Sequence, residues 1–260
     1  SRYDYEGLPT EAANGVIIIK TLPQILGIRK SSKLAAATLQ YLSKFVKPGI
    51  STEELNILAH QFITAHDAIP APLNYGGFPK SICTSVNNVV CHGIPSSKII
   101  LKEGDIINLD VTTILDAFYG DISATFPVGK ITPATQNLIN RTQQALNLAI
   151  TAIKPGKYLN EVVGQVIENY VTSFGYSPVR ELGGHGVGLE FHEDPFVFHF
   201  NTPQNHLLLK PGMIFTVEPM INASPNWKID IDAVDGWTVR TTDGALSCQF
   251  EHTVLVTDSG

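Results

Sequence analysis

The chain carries one pattern twice, and no other feature constrains its fold as strongly. Leu101-Lys102-Glu103-Gly104-Asp105-Ile106-Ile107-Asn108-Leu109-Asp110 aligns with Leu209-Lys210-Pro211-Gly212-Met213-Ile214-Phe215-Thr216-Val217-Glu218, 108 positions later. Lys47-Pro48-Gly49 aligns with Lys154-Pro155-Gly156, 107 positions later. Two matches at nearly one offset, in the same order, indicate an internal duplication. The elements around them repeat as well. Leu26, Leu34, Leu39, Leu42 and Phe45 recur at helical spacing and predict a helix over 26–46. Lys47-Pro48-Gly49 closes it, because proline cannot continue a helix and glycine supplies a left-handed cap. Ser51 with Glu54 forms a capping box that opens a second helix to about His66. Strand-like β-branched runs follow at 81–86, 106–115 and 122–128. In the second half Thr132-Pro133 opens a helix to about Ile153. Lys154-Pro155-Gly156 stops that helix, and another runs from about Leu159 to Ser173. Strands return at 213–217, 228–234 and 246–256.

Each half ends the same kind of strand on a carboxylate, so a pseudo-twofold arrangement of the halves would bring Asp110 and Glu218 face to face. Asp110 ends Ile106-Ile107-Asn108-Leu109, and Glu218 ends Ile214-Phe215-Thr216-Val217. Glu251 sits in a β-rich context, and Asp121 follows Tyr119-Gly120 and precedes a strand. An unpaired buried charge costs several kcal/mol and would normally neutralise instead. Any one of these is explained as well by an edge strand facing water. Four in matching contexts call for divalent cations, and more than one of them. His185 lies among the glycines of Gly183-Gly184-His185-Gly186-Val187-Gly188, where the backbone can pass close to a site and leave the ring presented; a solvent-exposed loop histidine is the alternative. His92 in Cys91-His92-Gly93 and His192 in Phe191-His192-Glu193 suit the rim of a cleft. His60, His66, His199 and His206 are assigned to surface or packing.

Composition narrows the function. A net charge of −6 and a pI near 5.7 argue against a nucleic-acid or anionic-membrane surface. Mean hydropathy of +0.08 with 43% hydrophobic residues describes a globule with a sizeable core. The longest apolar run at the N-terminus, Val16 to Ile19, is far short of a membrane span. Ser1 to Gly7 is polar and acidic, unlike a secretory signal, so the protein is cytosolic or a signal has been removed. Three cysteines, Cys83, Cys91 and Cys248, form no CxxC pair and read as reduced, buried thiols in a reducing compartment. There is no HExxH, GxSxG or Walker loop. Cys91 beside His92 is a poor nucleophile–base pair, because adjacent strand residues point to opposite faces.

Several segments together resemble the type I methionine aminopeptidases, from about Ile25 to Val256. They are Ser81 to Asn87 with Val89 to Pro95, Asn108-Leu109-Asp110-Val111-Thr112, Tyr119-Gly120-Asp121, Gly184-His185-Gly186-Val187-Gly188, Thr216-Val217-Glu218-Pro219-Met220, and Gln249-Phe250-Glu251-His252-Thr253. The resemblance implies an α+β pita-bread (creatinase/aminopeptidase) fold, two pseudo-symmetric halves with antiparallel sheets covered by helices. It implies an N-terminal extension over 1–24 and one catalytic domain over 25–260, with halves of about 25–130 and 131–256. It implies removal of the N-terminal methionine from nascent proteins and peptides when the next residue is small.

The same resemblance makes Asp110 a ligand of one divalent metal, His185 and Glu218 ligands of another, and Asp121 and Glu251 bridges between them. Oxygen donors with one imidazole suit Co, Mn, Fe or Zn without choosing among them. Glu218 becomes the proton relay, His192 the contact to the carbonyl oxygen, and His92 the neighbour of the scissile nitrogen. Tyr75, Phe78, Cys83, Phe191 and Trp237 become the methionine pocket, a slot of rings and sulfur suited to a thioether. Pro72 and Phe78 depart from the cysteine and tyrosine of many relatives, which bears on the pocket's shape. Asn87, Val89 and Ser247 match positions that hold a monovalent cation in some relatives. The resemblance further implies a cytoplasmic monomer acting on nascent chains, with transient ribosome association and no nucleic acid or membrane. An X-Pro aminopeptidase or prolidase would share all five ligands but usually carries an extra N-terminal domain, where about 25 residues precede the first helix here. A type II enzyme would need an insertion between Glu161 and Glu251. A non-enzymatic binding protein of this fold would have lost ligands, and none is lost.

Overall fold

The computed structural model describes residues 15–260 and the backbone of 9–12; the polar stretch Ser1 to Gly7 lies outside them. In chain order the elements are β1 (Pro9–Ala12), β2 (Gly15–Ile18), α1 (Leu22–Ser43), α2 (Thr52–Ala65), β3 (Ile69–Pro70), β4 (Cys83–Val86), β5 (Val89–Cys91), β6 (Ile106–Leu115) and β7 (Phe118–Pro127). The second half adds α3 (Pro133–Ala152), α4 (Gln165–Thr172), β8 (Ser177–Pro178), β9 (Gly184–Gly186), β10 (Glu193–Val197), β11 (Ile214–Val217), β12 (Met220–Asn222), β13 (Ile229–Ile231), β14 (Val239–Thr241), β15 (Ser247–Gln249) and β16 (His252–Leu255).

In the first half the antiparallel sheet β3-β6-β4, extended by β7 on β6, is covered by α1 and α2. Leu34, Leu39, Leu42, Leu55 and Ile63 of the helices pack on Ile107, Leu109 and Val111 of β6. The second half builds a separate core from α3, α4, β11, β12 and β15, with Leu146, Val163, Ile167, Phe215, Ile221 and Cys248 inside. Where the halves meet, Ser123 of β7 pairs with Glu251, and Asn108 Nδ2 and Thr125 Oγ1 donate to the Gln249 carbonyl at 2.9 and 2.7 Å.

The helix expected over 26–46 is α1, which begins earlier and ends earlier. Thr21 caps it in a capping box with Gln24, and Pro23 lies in its first turn; this start signal precedes the apolar repeat. Leu26 is 55% exposed and lies off the buried stripe, which runs through Ile25, Ile28, Ser31, Leu34 and Ala35. The boundary expected between an extension over 1–24 and the domain falls inside α1, and Ile17 and Lys20 are buried in the body of the domain. At Gly120 a Cβ would stand 2.3 Å from the backbone nitrogen of Ser32, so only glycine lets α1 lie so close to β7. Ser51 and Glu54 form the expected capping box of α2. The helix expected over 159–173 opens with a wide π turn over Asn160–Gly164 before α4. The strand expected over 246–256 is broken at Phe250-Glu251 into β15 and β16. Asp121 lies within β7 rather than before a strand.

Candidate metal centre and substrate cleft

Neighbouring strands of the two halves deliver the carboxylates. Asp110 of β6 pairs with Ser123 of β7, and Asp121 lies two residues back on that strand. From the second half come His185 of β9, Glu218 just after β11, and Glu251 in the break between β15 and β16. Ligand atoms of Asp121, His185, Glu218 and Glu251 all lie within 4.8 Å of one another. Asp110 stands beside this group and interacts electrostatically with Asp121, Glu218, Glu251 and His185. Asp121 and Glu251 are buried, at 3% and 0% exposure, while Asp110 and Glu218 face the cleft.

The surroundings of the cluster suit cations. Neither oxygen of Glu251 has a hydrogen-bond donor. Asp110 and Glu218 approach it but offer no donor when ionised. Burial pushes Glu251 well above the usual carboxylate range, and Asp121, Glu218 and Asp110 push it further. Burial raises Asp110 in the same way, with Asp121 and Glu218 adding to it, and burial also raises Glu218. His185 shows the converse. Burial alone would lower it, but Asp121 and Glu218 together outweigh that and lift it to about 9. Its Nδ1–H donates to the Gly186 carbonyl at 2.8 Å, which turns Nε2 toward Asp121 Oδ2 at 3.4 Å. That arrangement fixes the tautomer a metal-binding imidazole needs. Thr112 Oγ1 donates to Asp121 Oδ1 at 2.8 Å, leaving Oδ2 for the centre. A donorless buried carboxylate among further carboxylates and an oriented imidazole fits divalent cations by its donor chemistry.

Asp110, Asp121, His185 and Glu218 line a two-lobed cleft, while Glu251 is fully buried and lines neither lobe. The smaller lobe, about 130 Å³, is lined by Pro72, Tyr75, Phe78, Cys83, Phe191 and Trp237. Phe78 is 3% exposed and meets Trp237 edge-on, with ring centres 5.2 Å apart. The larger lobe, about 520 Å³, includes Cys91, Leu182, Phe196, Met220 and Asp194. Both lobes share His92, Asp110, His185, His192 and Glu218. His92 follows the end of β5 with φ of 55°, so its ring and the Cys91 side chain both line the larger lobe, rather than opposite faces as strand alternation implies. His192 stacks on Phe191 at 4.3 Å and bonds the Tyr75 hydroxyl through Nδ1 at 2.8 Å. His192 is exposed to solvent on one side, and the rings of Tyr75, Phe191 and His185 pack against the other. Burial, with the neighbouring His185, lowers it to about 4.

Two features escaped sequence reasoning. His199, expected at the surface or in packing, is fully buried, and its Nε2 accepts the Glu218 N–H at 3.0 Å; burial lowers it to about 3. Alternation along Phe196-Val197-Phe198-His199 puts His199 on the buried face with Val197, which was the available signal. Thr216, two residues before Glu218, accepts the His185 N–H at 3.0 Å and so ties two ligand-bearing strands together. Asn87 and Ser247 do meet, through a bond from Ser247 N–H to the Asn87 carbonyl at 3.0 Å, and Val89 pairs with Arg240 beside them.

Residues 27–258 match metallopeptidase family M24, and the chain belongs to that family. It is 49% identical to a methionine aminopeptidase of Rickettsia prowazekii, across 94% of this chain and 93% of that one. It is 48% identical to a methionine aminopeptidase of Escherichia coli (strain K12), across 94% of this chain and 92% of that one. Within the family the chain therefore belongs with the methionine aminopeptidases. The crystal structure of the Rickettsia prowazekii enzyme superimposes with a TM-score of 0.91, covering 94% of this chain and 97% of that one. Prolidase from Pyrococcus furiosus, 22% identical with a TM-score of 0.73, shares the fold, and this chain covers 63% of it. The fold is the pita-bread fold of antiparallel sheets covered by helices.

Proposed function

We propose that this methionine aminopeptidase works as a two-metal exopeptidase on nascent chains and peptides whose second residue is small. The observation that carries the reading is the donorless, buried Glu251 carboxylate grouped with Asp121, His185 and Glu218, which themselves line a two-lobed cleft. Asp110 would serve one metal, His185 and Glu218 the other, and Asp121 and Glu251 both. Bound there, two divalent ions lower the pKa of a water and polarise the scissile carbonyl.

The chain's own residues do the rest. The small lobe takes the methionine side chain against Phe78, Trp237 and Cys83. The peptide leaves through the larger lobe. Glu218 takes the attacking water's proton on its carboxylate and passes it toward the leaving nitrogen. The Tyr75 hydroxyl donates to His192 Nδ1, which keeps the proton on Nε2, where it can donate to the developing oxyanion. Partial burial and the neighbouring His185 favour the neutral imidazole, so it acts as a hydrogen-bond donor and not as a charge. His92 faces the scissile nitrogen from the junction of the lobes. The cation set of Asn87, Val89 and Ser247 is a lesser part of the proposal, supported by the meeting of Asn87 with Ser247. We place the enzyme in the cytoplasm as a monomer that meets its substrates at the ribosome; its acidic charge suits transient association rather than nucleic-acid binding.

The test is peptide turnover after reconstitution with Mn, Co, Fe(II) and Zn in turn. Met-Ala-Ser should be cleaved and Ala-Pro should not. Norleucine should replace methionine with little loss. Leucine should be disfavoured by about 1–3 kcal/mol, the worth of one misplaced methylene in an apolar pocket. Equal turnover of peptides beginning with Met, Ala and Lys would overturn the reading.

A further inference from the structure

Lys20 is a lysine with 1% of its side chain exposed, an unusual place for a cation. It lies between β2 and Thr21, the cap of α1, and none of the chemistry above uses it. Its Nζ donates to Glu193 Oε1 and more loosely to the Ile18 carbonyl at 3.4 Å. Glu193 is 12% exposed, and its other oxygen, Oε2, accepts the N–H groups of Leu189 and Glu190 at 2.7 and 2.9 Å. The carboxylate is thus the hub of a turn whose next residues are Phe191 and His192. The turn is anchored at its start, where Tyr119 N–H donates to the Gly188 carbonyl at 2.9 Å. Gly188 has φ of +134°, and a Cβ there would stand 2.3 Å from Ile28 and 3.6 Å from the Lys20 side chain.

We infer that Lys20 is a positioning residue for His192, holding the 188–193 turn through Glu193 so that the imidazole faces the scissile carbonyl. This rests on the reading of His192 given above. An ion pair that only fastened the N-terminal segment would not need Glu193 to spend its second oxygen on its own turn. A buried carboxylate that loses its cation is left uncompensated. Glu193 lines the larger lobe and has an escape into it. Rotating there would release the Leu189 and Glu190 N–H groups and shift the adjacent His192. Lys20 then serves the site from outside it, since it lines neither lobe of the cleft.

The test uses the metal-loaded protein with Lys20→Met, Lys20→Arg and Ile17→Ala, each alone and combined with His192→Ala. Wild-type turnover of Met-Ala-Ser is the prior arm; its absence would defeat the functional reading and not this one. Lys20→Met should lower kcat by tenfold or more, toward the ~10²-fold that a misplacement of about 1 Å can cost. KM should change little, and metal content should stay at the wild-type level. Lys20→Arg should recover part of the loss, and Ile17→Ala, which loosens the same segment, should leave kcat intact. In the His192→Ala background Lys20→Met should add almost nothing, because one acts through the other. In the metal-free protein the His192 imidazole ¹⁵N resonances should shift in Lys20→Met and not in Ile17→Ala, a readout independent of turnover. Losses that multiply in the double variant, unmoved His192 resonances, or an Ile17→Ala variant as slow as Lys20→Met would each overturn the inference. If Lys20→Met fails to fold, Glu193→Gln enters the same cycle and is judged by the same outcomes.

Discussion

Glu251 concentrates the electrostatic cost of the site in one side chain, because both its oxygens lie buried without a donor. A buried charged group left unsatisfied costs about 1–3 kcal/mol or more. Glu251→Gln should therefore raise the melting temperature of the metal-free protein while lowering its metal content, since the new amide can donate to Asp110 or Glu218. Calorimetry with elemental analysis reads both, and a metal-free variant that melts lower than wild type would refute the account. His192 tests catalysis apart from metal binding. His192→Ala should keep the metals and lose on the order of 10²-fold in kcat, as for an oxyanion donor. Unchanged kcat with a raised KM would reduce His192 to a binding contact. At this scale residue types and spacing carried much of the reading. Asp121, His185, Glu218 and Glu251 gather, with Asp110 beside them. His199 did not stand out, because a histidine flanked by phenylalanines looks like packing until its bond to the Glu218 N–H is seen.

The elements that were legible are those whose ends are written locally. Ser51 with Glu54 marked the start of α2, and Thr132-Pro133 the start of α3. The α2 box also makes a pH prediction. Hydrogen bonds from the Ser51 backbone and hydroxyl to the Glu54 carboxylate lower its pKa. A depressed carboxyl contributes stability above its unfolded value, and that contribution disappears as pH falls through the folded value. Glu54→Gln should therefore lower the melting temperature at neutral pH, by an amount that shrinks to nothing in the acid range below the ordinary glutamate value. A constant deficit across pH 7 to 3 would show that the charge is irrelevant to the cap. The break at Phe250-Glu251 was not legible. It arises because Glu251 N–H bonds the Ser123 carbonyl at 2.9 Å across the halves, a partner far away in sequence. The start of α1 was legible in Thr21 and Gln24, but the apolar repeat drew attention to Leu26, which faces solvent.

Over the whole molecule the two cores are distinct, and the cleft between them draws its carboxylates from both: Asp110 and Asp121 from one half, Glu218 and Glu251 from the other. Cations at that seam would join the halves and offset the mutual repulsion of four carboxylates. Chelation should therefore lower the melting temperature. At free metal 100-fold above its dissociation constant the stabilisation lost is about 2.7 kcal/mol, or roughly 5–10 °C for a chain of this size. Readdition of metal should restore it, and a melting temperature indifferent to chelator would contradict cations at the seam.

The duplication, the capped helices, the strands ending on carboxylates and the motif set were all present in the order of residues. These depend on local propensity and on periodicities of 3.6 and 2, which operate over a few positions. The two lobes of the cleft, the shared face of Cys91 and His92, the burial of His199 and the Lys20–Glu193 pair came only with the tertiary structure. Each joins groups separated widely along the chain, or turns on a backbone angle such as φ of 55° at His92. Such a pairing has no periodicity to announce it, because the free energy of burying Lys20 against Glu193 exists only once β2 has docked beside the turn that carries His192.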